Sequence, residues 1–298
     1  MNISKIGEFG LIERFKKSIK TDQSVVLGSG DDCAILKLDK LNYQLFTCDM
    51  LTEGVDFNLK NNPYFIGRKA IAVSISDIIS CSGSPRHCVI SVGLPKNTSI
   101  KFVDKLFKGM LDLAKFYKIN IVGGDLSLSS KLTIDVSMLG VVKKKYLTLR
   151  SQAKVGDIIF VTGELGGSIK GKHFNFIPRV IESGYLRRNL KVNAMIDISD
   201  GLASDLSHIL KSSNVGAVIY EQLIPLSKDA LNVNSALNDG EDFELLFTLS
   251  RKEASKLLNK RIVNFKPIGQ IVKKSVGFKL VTDNYKITDL KPNGFKHF

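Results

Sequence analysis

The sequence has no tryptophan, only seven prolines and four cysteines in 298 residues, and no long uninterrupted apolar run. The most apolar stretch, residues 70–82, is interrupted by Asp77 and falls short of the roughly 18 apolar residues that a membrane span needs. The N-terminal residues lack the apolar core and small-residue cleavage site of a secretory signal. We therefore expect a globular, cytoplasmic protein without a membrane span.

Two kinds of metal or nucleophile site are also missing. The cysteines form no Cys-x-x-Cys pair, which argues against a zinc knuckle or a disulfide framework and favours reduced thiols. The four histidines show no His-x-x-x-His spacing for zinc, and no Gly-x-Ser-x-Gly segment is present. His208 lies on a predicted helix, and we expect it to be a packing or surface residue and not a catalytic base. Zinc hydrolases and serine hydrolases are therefore disfavoured.

The chain is basic, with 43 lysines and arginines against 29 acidic residues and a net charge of +14. A clustered basic face would indicate a nucleic-acid partner. The basic runs are short, however, as at residues 16–17, 143–145 and 273–274, and no aromatic residues are interleaved with them. We interpret them as solvated surface charge and expect no nucleic-acid partner, with a basic nucleic-acid-binding or regulatory protein kept as an alternative.

Hydrophobic periodicity divides the chain into two mixed α/β halves. Helices are predicted over residues 3–19, from Pro63 to Ile79 and over 102–116, with strands over 23–27, 43–47, 119–122 and 132–138. The pattern stops at residues 150–157 and restarts with a strand over 158–162. Further strands at 195–199 and 215–220 flank a helix at 201–210, and Ser250 with Glu253 has the spacing of a capping box. The predicted fold class is α/β (α+β), with domains at 1–149 and 150–298.

Six short segments place acidic residues beside glycines or at strand ends. They are Gly28 to Asp32, Thr47 to Asp49, Ser76-Asp77, Gly123 to Asp125, Asp197 to Gly201, and Gly240 to Asp242. Each alone is typical of a turn. If they converge, carboxylates about 4 Å apart repel by a few kcal/mol at an effective dielectric near 20, so cations are required. Mg²⁺ takes such oxygen ligands and bridges them to substrate phosphates, which predicts a magnesium-dependent phosphoryl-transfer enzyme.

A Gly-rich basic segment offers a different phosphate site. Gly166 to Lys172 follows a predicted strand and matches the Gly-x-x-x-x-Gly-Lys part of a P-loop. The next residue is His173, where a P-loop has the Ser or Thr that holds magnesium, and Pro178 shortens the following helix. We interpret the segment as a flexible, basic loop, and the sequence does not decide whether it contacts a phosphate.

Taken in chain order, these segments resemble the thiamine-monophosphate kinases of the PurM-like ATP-binding superfamily. The resembling segments run nearly end to end, at residues 7–12, 28–34, 47–57, 76–78, 123–125, 149–157, 196–202, 240–248 and 294–298. The resemblance implies a two-domain PurM-like fold, ATP-dependent conversion of thiamine monophosphate to thiamine diphosphate, and a homodimer paired through the N-terminal sheet. It implies Mg²⁺ as cofactor, with ATP and thiamine monophosphate as ligands.

The resemblance also implies roles for individual residues. Magnesium ligands would be Asp32, Asp49, Asp77, Asp125, Asp197 and Asp200, with Thr47 and Cys48 at positions of metal-binding hydroxyls; nucleotide contacts would be Gly124, Asp125, Arg150 and Ser199; substrate contacts would be Asp56, Glu241 and Phe295. Asp32, Asp77, Asp125 and Arg150 would be catalytic. The acceptor is a phosphate that is already ionised near neutral pH, so charge neutralisation and alignment are needed in place of a general base.

Three features depart from the family pattern. Cys48 offers a thiol, a poor ligand for magnesium, so a backbone oxygen or water could replace it. Asp56 stands where the family commonly has histidine, and residues 78–83 differ from the usual Ala-Met-Gly loop. Within the superfamily, aminoimidazole ribonucleotide synthetase is the alternative, whereas selenophosphate synthetase is disfavoured because no cysteine precedes Cys33.

Overall fold

The computed structural model describes residues 3–260 and 265–295. The N-terminal half forms a six-stranded sheet and three helices. Its strands are β1 (Val25–Leu27), β2 (Ala34–Lys37), β3 (Asn42–Thr52), β4 (Ser84–Leu94), β5 (Asn120–Leu128) and β6 (Thr133–Lys143), and its helices are α1 (Ile3–Lys16), α2 (Pro63–Ser80) and α3 (Ile100–Phe116). The strand order is β1-β2-β3-β6-β4-β5, antiparallel except for the parallel pair β4–β5.

The C-terminal half forms a second, seven-stranded sheet. Its strands are β7 (Ile158–Thr162), β8 (Val192–Asp197), β9 (Gly216–Tyr220), β10 (Leu245–Leu249), β11 (Phe265–Val272), β12 (Phe278–Val281) and β13 (Ile287–Asp289). Its helices are α4 (Lys172–Asn175), α5 (Val180–Asn189), α6 (Leu202–Ser213), α7 (Val233–Asn238) and α8 (Arg251–Asn259). The strand order is β13-β12-β9-β11-β7-β10-β8, with β12 parallel to β9. The predicted mixed α/β fold class is confirmed in both halves.

Helix α2 lies between the two sheets. It begins at Pro63, as predicted, because proline fits the first helical position and the side chain of Asn62 accepts a hydrogen bond from the Tyr64 amide at 3.1 Å. Most of its residues from Ile66 to Ser80 are buried. The helix contacts α3, β3 and β6 on one side and β8, α4 and α5 on the other. Polar residues on α2 are therefore placed at the junction of the domains.

Strand β5 differs from the prediction. The strand expected over 119–122 extends to Leu128, so Gly123, Gly124 and Asp125 lie within it and not in a turn after it. Parallel pairing with β4 supplies backbone hydrogen bonds that the residue types alone do not indicate. A Cβ at Gly124 would lie 1.9 Å from the Ile90 carbonyl oxygen, so only glycine fits there.

Residues 144–157 carry no strand of either sheet, and the predicted boundary between residues 149 and 150 lies among them. The two halves nevertheless share an apolar core, in which Ile71 of α2 belongs to the same cluster as Phe160 and Phe247 of the second sheet. Across the described ranges, no helix is long and apolar enough to cross a membrane.

Candidate active site

Three of the predicted metal ligands meet at the junction of the domains. Carboxylate oxygens of Asp32, Asp77 and Asp197 lie within 4.8 Å of one another. Asp32 precedes β2, Asp77 belongs to the last turns of α2, and Asp197 ends β8. Because both domains contribute, this aspartate cluster forms only when α2 is packed against both sheets.

Hydroxyl groups hold the aspartates in place. Three serines of α2 each donate to one aspartate: Ser74 to Asp49 at 2.8 Å, Ser76 to Asp197 at 2.5 Å and Ser80 to Asp32 at 2.5 Å. Thr47 donates to Asp77 from β3. Ser74 and Ser80 carry no prediction from sequence and Ser76 only marks the segment of Asp77, although hydroxyls on an otherwise apolar helix beside Asp77 are a usable signal. Such partners fix the direction in which each carboxylate presents its free oxygen.

Burial changes the protonation of these carboxylates. Burial, with repulsion from Asp32, raises the pKa of Asp197 to about 8. Burial also raises the pKa of Asp49 to about 6, and burial with the neighbouring aspartates raises the pKa of Asp77 well above its ordinary value. All the donors are hard oxygen atoms, and ionising them together requires a nearby positive charge. This donor set suits Mg²⁺.

Arg150 supplies one positive charge to the cluster. Its guanidinium donates to Asp32 Oδ1 through Nε at 3.1 Å and through a second nitrogen. Its backbone amide donates to Asp31 at 3.0 Å, and the other oxygen of Asp31 accepts from the Asp32 amide at 3.1 Å. Asp31 therefore fixes the turn that presents Asp32.

Two predicted ligands lie on the other face of the N-terminal sheet. Along β3, Thr47 is buried toward α2, whereas the adjacent Cys48 is exposed and its thiol donates to Asp135 at 3.1 Å. Asp125 lies on β5 in register with Ser91, which in turn pairs with Asp135, so it shares that exposed face. Within one chain the structure does not bring the Cys48 thiol or Asp125, with its neighbour Gly124, to the aspartate cluster.

Asp200 belongs to a second acidic group at the start of α6. Its carboxylate lies within 4.8 Å of ligand atoms of Asp205 and His208. Asp205 accepts hydrogen bonds from the amides of Asp200 at 3.0 Å and Gly201 at 3.1 Å. Burial, with the nearby positive charge of Arg150, lowers the pKa of His208 to about 4, so the ring is neutral at pH 7.

A cavity of about 400 Å³ opens beside the cluster. The three predicted substrate residues, Asp56, Glu241 and Phe295, all line it. Its wall also includes Asp49, Met50, Leu51, Val55, Val73, Ile169, Ser199, Asp200, Asp239, Gly240 and Phe243. Asp49 lines this cavity, and its charge helps to raise the pKa of Asp77, so the cavity adjoins the aspartate cluster through Asp49. Ser199, predicted for nucleotide, lies on the cavity wall; the segment predicted around Phe295 continues into 296–298, outside the described residues.

The Gly-rich loop does not present a P-loop cradle. The Gly166 amide donates to Asp242 at 2.9 Å, and the Ser168 hydroxyl donates to the same carboxylate at 2.6 Å. Lys172 bonds to Glu244 at 3.0 Å. Since these donors are satisfied by carboxylates of the chain itself, the loop is built as a wall of the cavity and not as a site for nucleotide phosphates.

Comparisons with known proteins show the family to which the chain belongs. The N-terminal domain model of the AIR synthase related proteins matches residues 30–142, and the C-terminal domain model matches residues 177–280. The chain is 38% identical to the thiamine-monophosphate kinase of Buchnera aphidicola subsp. Acyrthosiphon pisum, covering 99% of each sequence. The chain belongs to the thiamine-monophosphate kinase family. A second member, from Bacillus subtilis, is 33% identical, over 98% of this chain and 99% of the relative.

A solved kinase of this family has the same fold. The structure described as AaThiL complexed with AMPPCP and TMP superposes with a TM-score of 0.87 at 29% identity, covering 100% of this chain and 99% of the other. The PurM-like fold expected from sequence is thereby confirmed. AMPPCP and TMP are ligands of that protein. What this chain binds is taken up under the proposed function.

Proposed function

We propose that this chain transfers the γ-phosphoryl group of ATP to thiamine monophosphate, yielding ADP and thiamine diphosphate. The observation that carries the proposal is that Asp49, whose charge acts on Asp77 of the aspartate cluster, also lines the cavity that contains Asp56, Glu241 and Phe295. Full-length similarity to thiamine-monophosphate kinases supports it. A family membership of this extent makes the chain a kinase.

The cavity suits the organic part of this acceptor. Thiamine carries a positively charged thiazolium ring and an aminopyrimidine ring. The cavity combines carboxylates, such as Glu241 and Asp56, with the apolar surfaces of Phe243 and Phe295. Carboxylates and aromatic faces both attract a cationic ring. The acceptor phosphate would then lie toward Asp49 and the aspartate cluster.

The aspartate cluster would hold Mg²⁺, with Asp32, Asp77 and Asp197 as the ligands that the structure brings together. When bound, the ions neutralise the charge of the transferred phosphoryl group and of the phosphates around it. The chain's own residues align the reactants: Arg150 carries the guanidinium nearest the cluster, and the serines of α2 hold the ligands. No general base is required, because the attacking phosphate oxygen is already ionised.

The same proposal includes a homodimer. Strand β5 is an edge strand, and its apolar side chains Val122, Leu126 and Leu128 are all exposed. Exposed apolar residues on an unpaired edge favour pairing with a second copy. Leu126 and Leu128 alternate with Asp125 along β5 and lie on the opposite face of the sheet. The metal roles of Asp125 and Cys48 stay predictions. The cytoplasmic location also stays a prediction.

Product analysis tests the proposal. Purified protein is incubated with ATP, Mg²⁺ and thiamine monophosphate, and thiamine diphosphate and ADP are measured by chromatography. Equal amounts of the two products are expected, with neither formed when EDTA is added. ADP formation without thiamine diphosphate, or thiamine diphosphate formation in EDTA, would show that the proposal is wrong.

A further inference from the structure

Lys69 of α2 is buried beneath the acceptor cavity. Its side chain has no exposure to solvent, yet its ammonium donates to the backbone carbonyl of Asp56 at 3.1 Å and forms an ion pair with Glu241. A buried ammonium is costly unless it is paired and hydrogen-bonded. Lys69 therefore ties together two cavity residues, one before α2 and one from the C-terminal domain.

His173 holds the second oxygen of the same carboxylate. Its Nδ1 lies 2.7 Å from Glu241 Oε2, and the ring is 4% exposed. An ionised carboxylate only accepts hydrogen bonds, so Nδ1 donates to Glu241 in the tautomer that carries its proton there. The Lys69 ammonium lies 3.0 Å from the same nitrogen, so Lys69, His173 and Glu241 form one buried cluster. Burial alone would raise the pKa of Glu241, but the hydrogen bonds from His173 and Lys69 outweigh burial and lower it. Glu241 is thus held as an anion from both sides.

The backbone at Glu241 and Phe243 has left-handed conformations, which hydrogen bonds from the surrounding residues must hold in place. Glu241 and Phe243 adopt φ values of 55° and 49°, which side chains other than glycine rarely adopt. The intervening Asp242 and the following Glu244 are anchored away from the cavity, by the Gly-rich loop and by Arg179. Successive side chains of residues 241–244 therefore alternate in direction, and Glu241 and Phe243 point toward the cavity.

We propose that Lys69 and His173 are positioning residues that hold Glu241 and the Asp56 turn at the acceptor end of the cavity. The inference rests on the proposed function. It also gives the Gly-rich loop a role, because the loop leads into α4 and so places His173 beside Glu241. Lys69 and Asp77 lie on one helix, eight residues and about 12 Å apart at 1.5 Å per residue. Helix α2 thereby sets the distance between the carboxylate that binds the acceptor and the cluster that acts on its phosphate.

The test compares Lys69→Met and His173→Leu with the wild type. For both variants we expect the KM for thiamine monophosphate, and its Kd measured by calorimetry without ATP, to rise about tenfold or more. The KM for ATP should change less than about twofold, and kcat should change little, because neither residue contacts the reacting phosphates. His173→Gln keeps an amide donor and should recover part of the affinity.

Lys170→Met is the matched control, since Lys170 lies on the same loop but its exposed ammonium donates to the backbone carbonyl of Asp229 at 2.8 Å. It should leave the KM for thiamine monophosphate unchanged. In a double variant with Glu241→Gln, Lys69→Met should add little to the loss.

Unchanged acceptor affinity in a folded His173→Leu variant, or an equal loss in Lys170→Met, would overturn the inference. Fully additive losses in the double variant would overturn it as well. If the wild type binds thiamine monophosphate without phosphorylating it, the proposed function fails, and the direct Kd values still decide this inference.

Discussion

Arg150 and Asp32 form an ion pair across the junction of the two domains. Arg150 is the first residue after the predicted domain boundary. Its guanidinium donates to the carboxylate of Asp32 in the N-terminal half, 118 positions earlier in the sequence. Asp32 is also a member of the aspartate cluster. The same carboxylate therefore serves as partner of Arg150 and as a proposed ligand of Mg²⁺, which couples the two cations.

This coupling predicts opposite effects on metal binding and catalysis. In Arg150→Gln, Asp32 loses a competing cation, so we expect Mg²⁺ to bind several-fold more tightly by calorimetry. Turnover should fall about 100-fold, since a positive charge near the phosphoryl group is lost. Arg187→Gln is the control: Arg187 also bridges the domains, but it contacts Ser82 and Ser84, which do not belong to the aspartate cluster. Weaker Mg²⁺ binding in Arg150→Gln would contradict the prediction.

Asp77→Asn should abolish turnover while the chain stays folded. Asparagine keeps the shape of the side chain and can accept the hydrogen bond from Thr47. It also removes repulsion with Asp49 and Asp197, so the unfolding temperature should stay equal or rise. We expect kcat to fall at least about 1000-fold. Asp112→Asn, on the exposed side of α3, is the control and should keep full activity. If Asp77→Asn turns over near the wild-type rate, Asp77 has no role in the mechanism.

Stability without Mg²⁺ should fall as pH rises. The folded pKa of Asp49 is about 6 and that of Asp197 about 8, above the usual value of 3.8. The folded state therefore binds more protons than the unfolded state between about pH 4 and 8, and stability decreases over that window. Unfolding temperatures in EDTA should show this decrease. Mg²⁺ should raise them more at pH 8 than at pH 5.5, and Mg²⁺ binding should release protons; an EDTA profile that rises with pH would refute the prediction.

The serines of α2 should tune metal affinity. Ser76→Ala removes the hydrogen bond to Asp197 and Ser80→Ala removes the one to Asp32. Loss of such a partner weakens metal binding about 10- to 100-fold, and the apparent Mg²⁺ requirement in the kinase assay should rise accordingly. Ser183→Ala is matched, because Ser183 is equally buried and donates to the Ile79 carbonyl of α2 without touching an aspartate. An equal effect of all three variants would point to general loosening of the helix.

Strand β5 should carry the dimer contact. Leu126 is 66% exposed on this edge strand, so Leu126→Glu is expected to shift the protein from dimer to monomer in light scattering. Ile287 is 65% exposed on β13, the edge strand of the second sheet, and Ile287→Glu should leave the dimer intact. A wild-type monomer at micromolar concentration would exclude the proposed pairing.

The amino-acid sequence by itself determined the element types and the acidic chemistry. Proline and Asn62 set the start of α2, hydrophobic periodicity set α3 and β7, and glycine beside aspartate marked the segments that converge. These signals are local, because capping, periodicity and turn preferences act over a few residues. They sufficed to predict two mixed α/β halves with aspartates gathered for phosphoryl transfer.

Only the tertiary structure decided which groups share a site. It brought Asp197 beside Asp32 and Asp77, left Asp125 on an exposed edge strand, and buried Lys69 against Glu241, 172 positions away. None of these relations follows from spacing, since they depend on sheet register and on the packing of α2 between two domains. Long-range pairing, and not the composition of any one segment, made an ordinary helical lysine the partner of a cavity carboxylate.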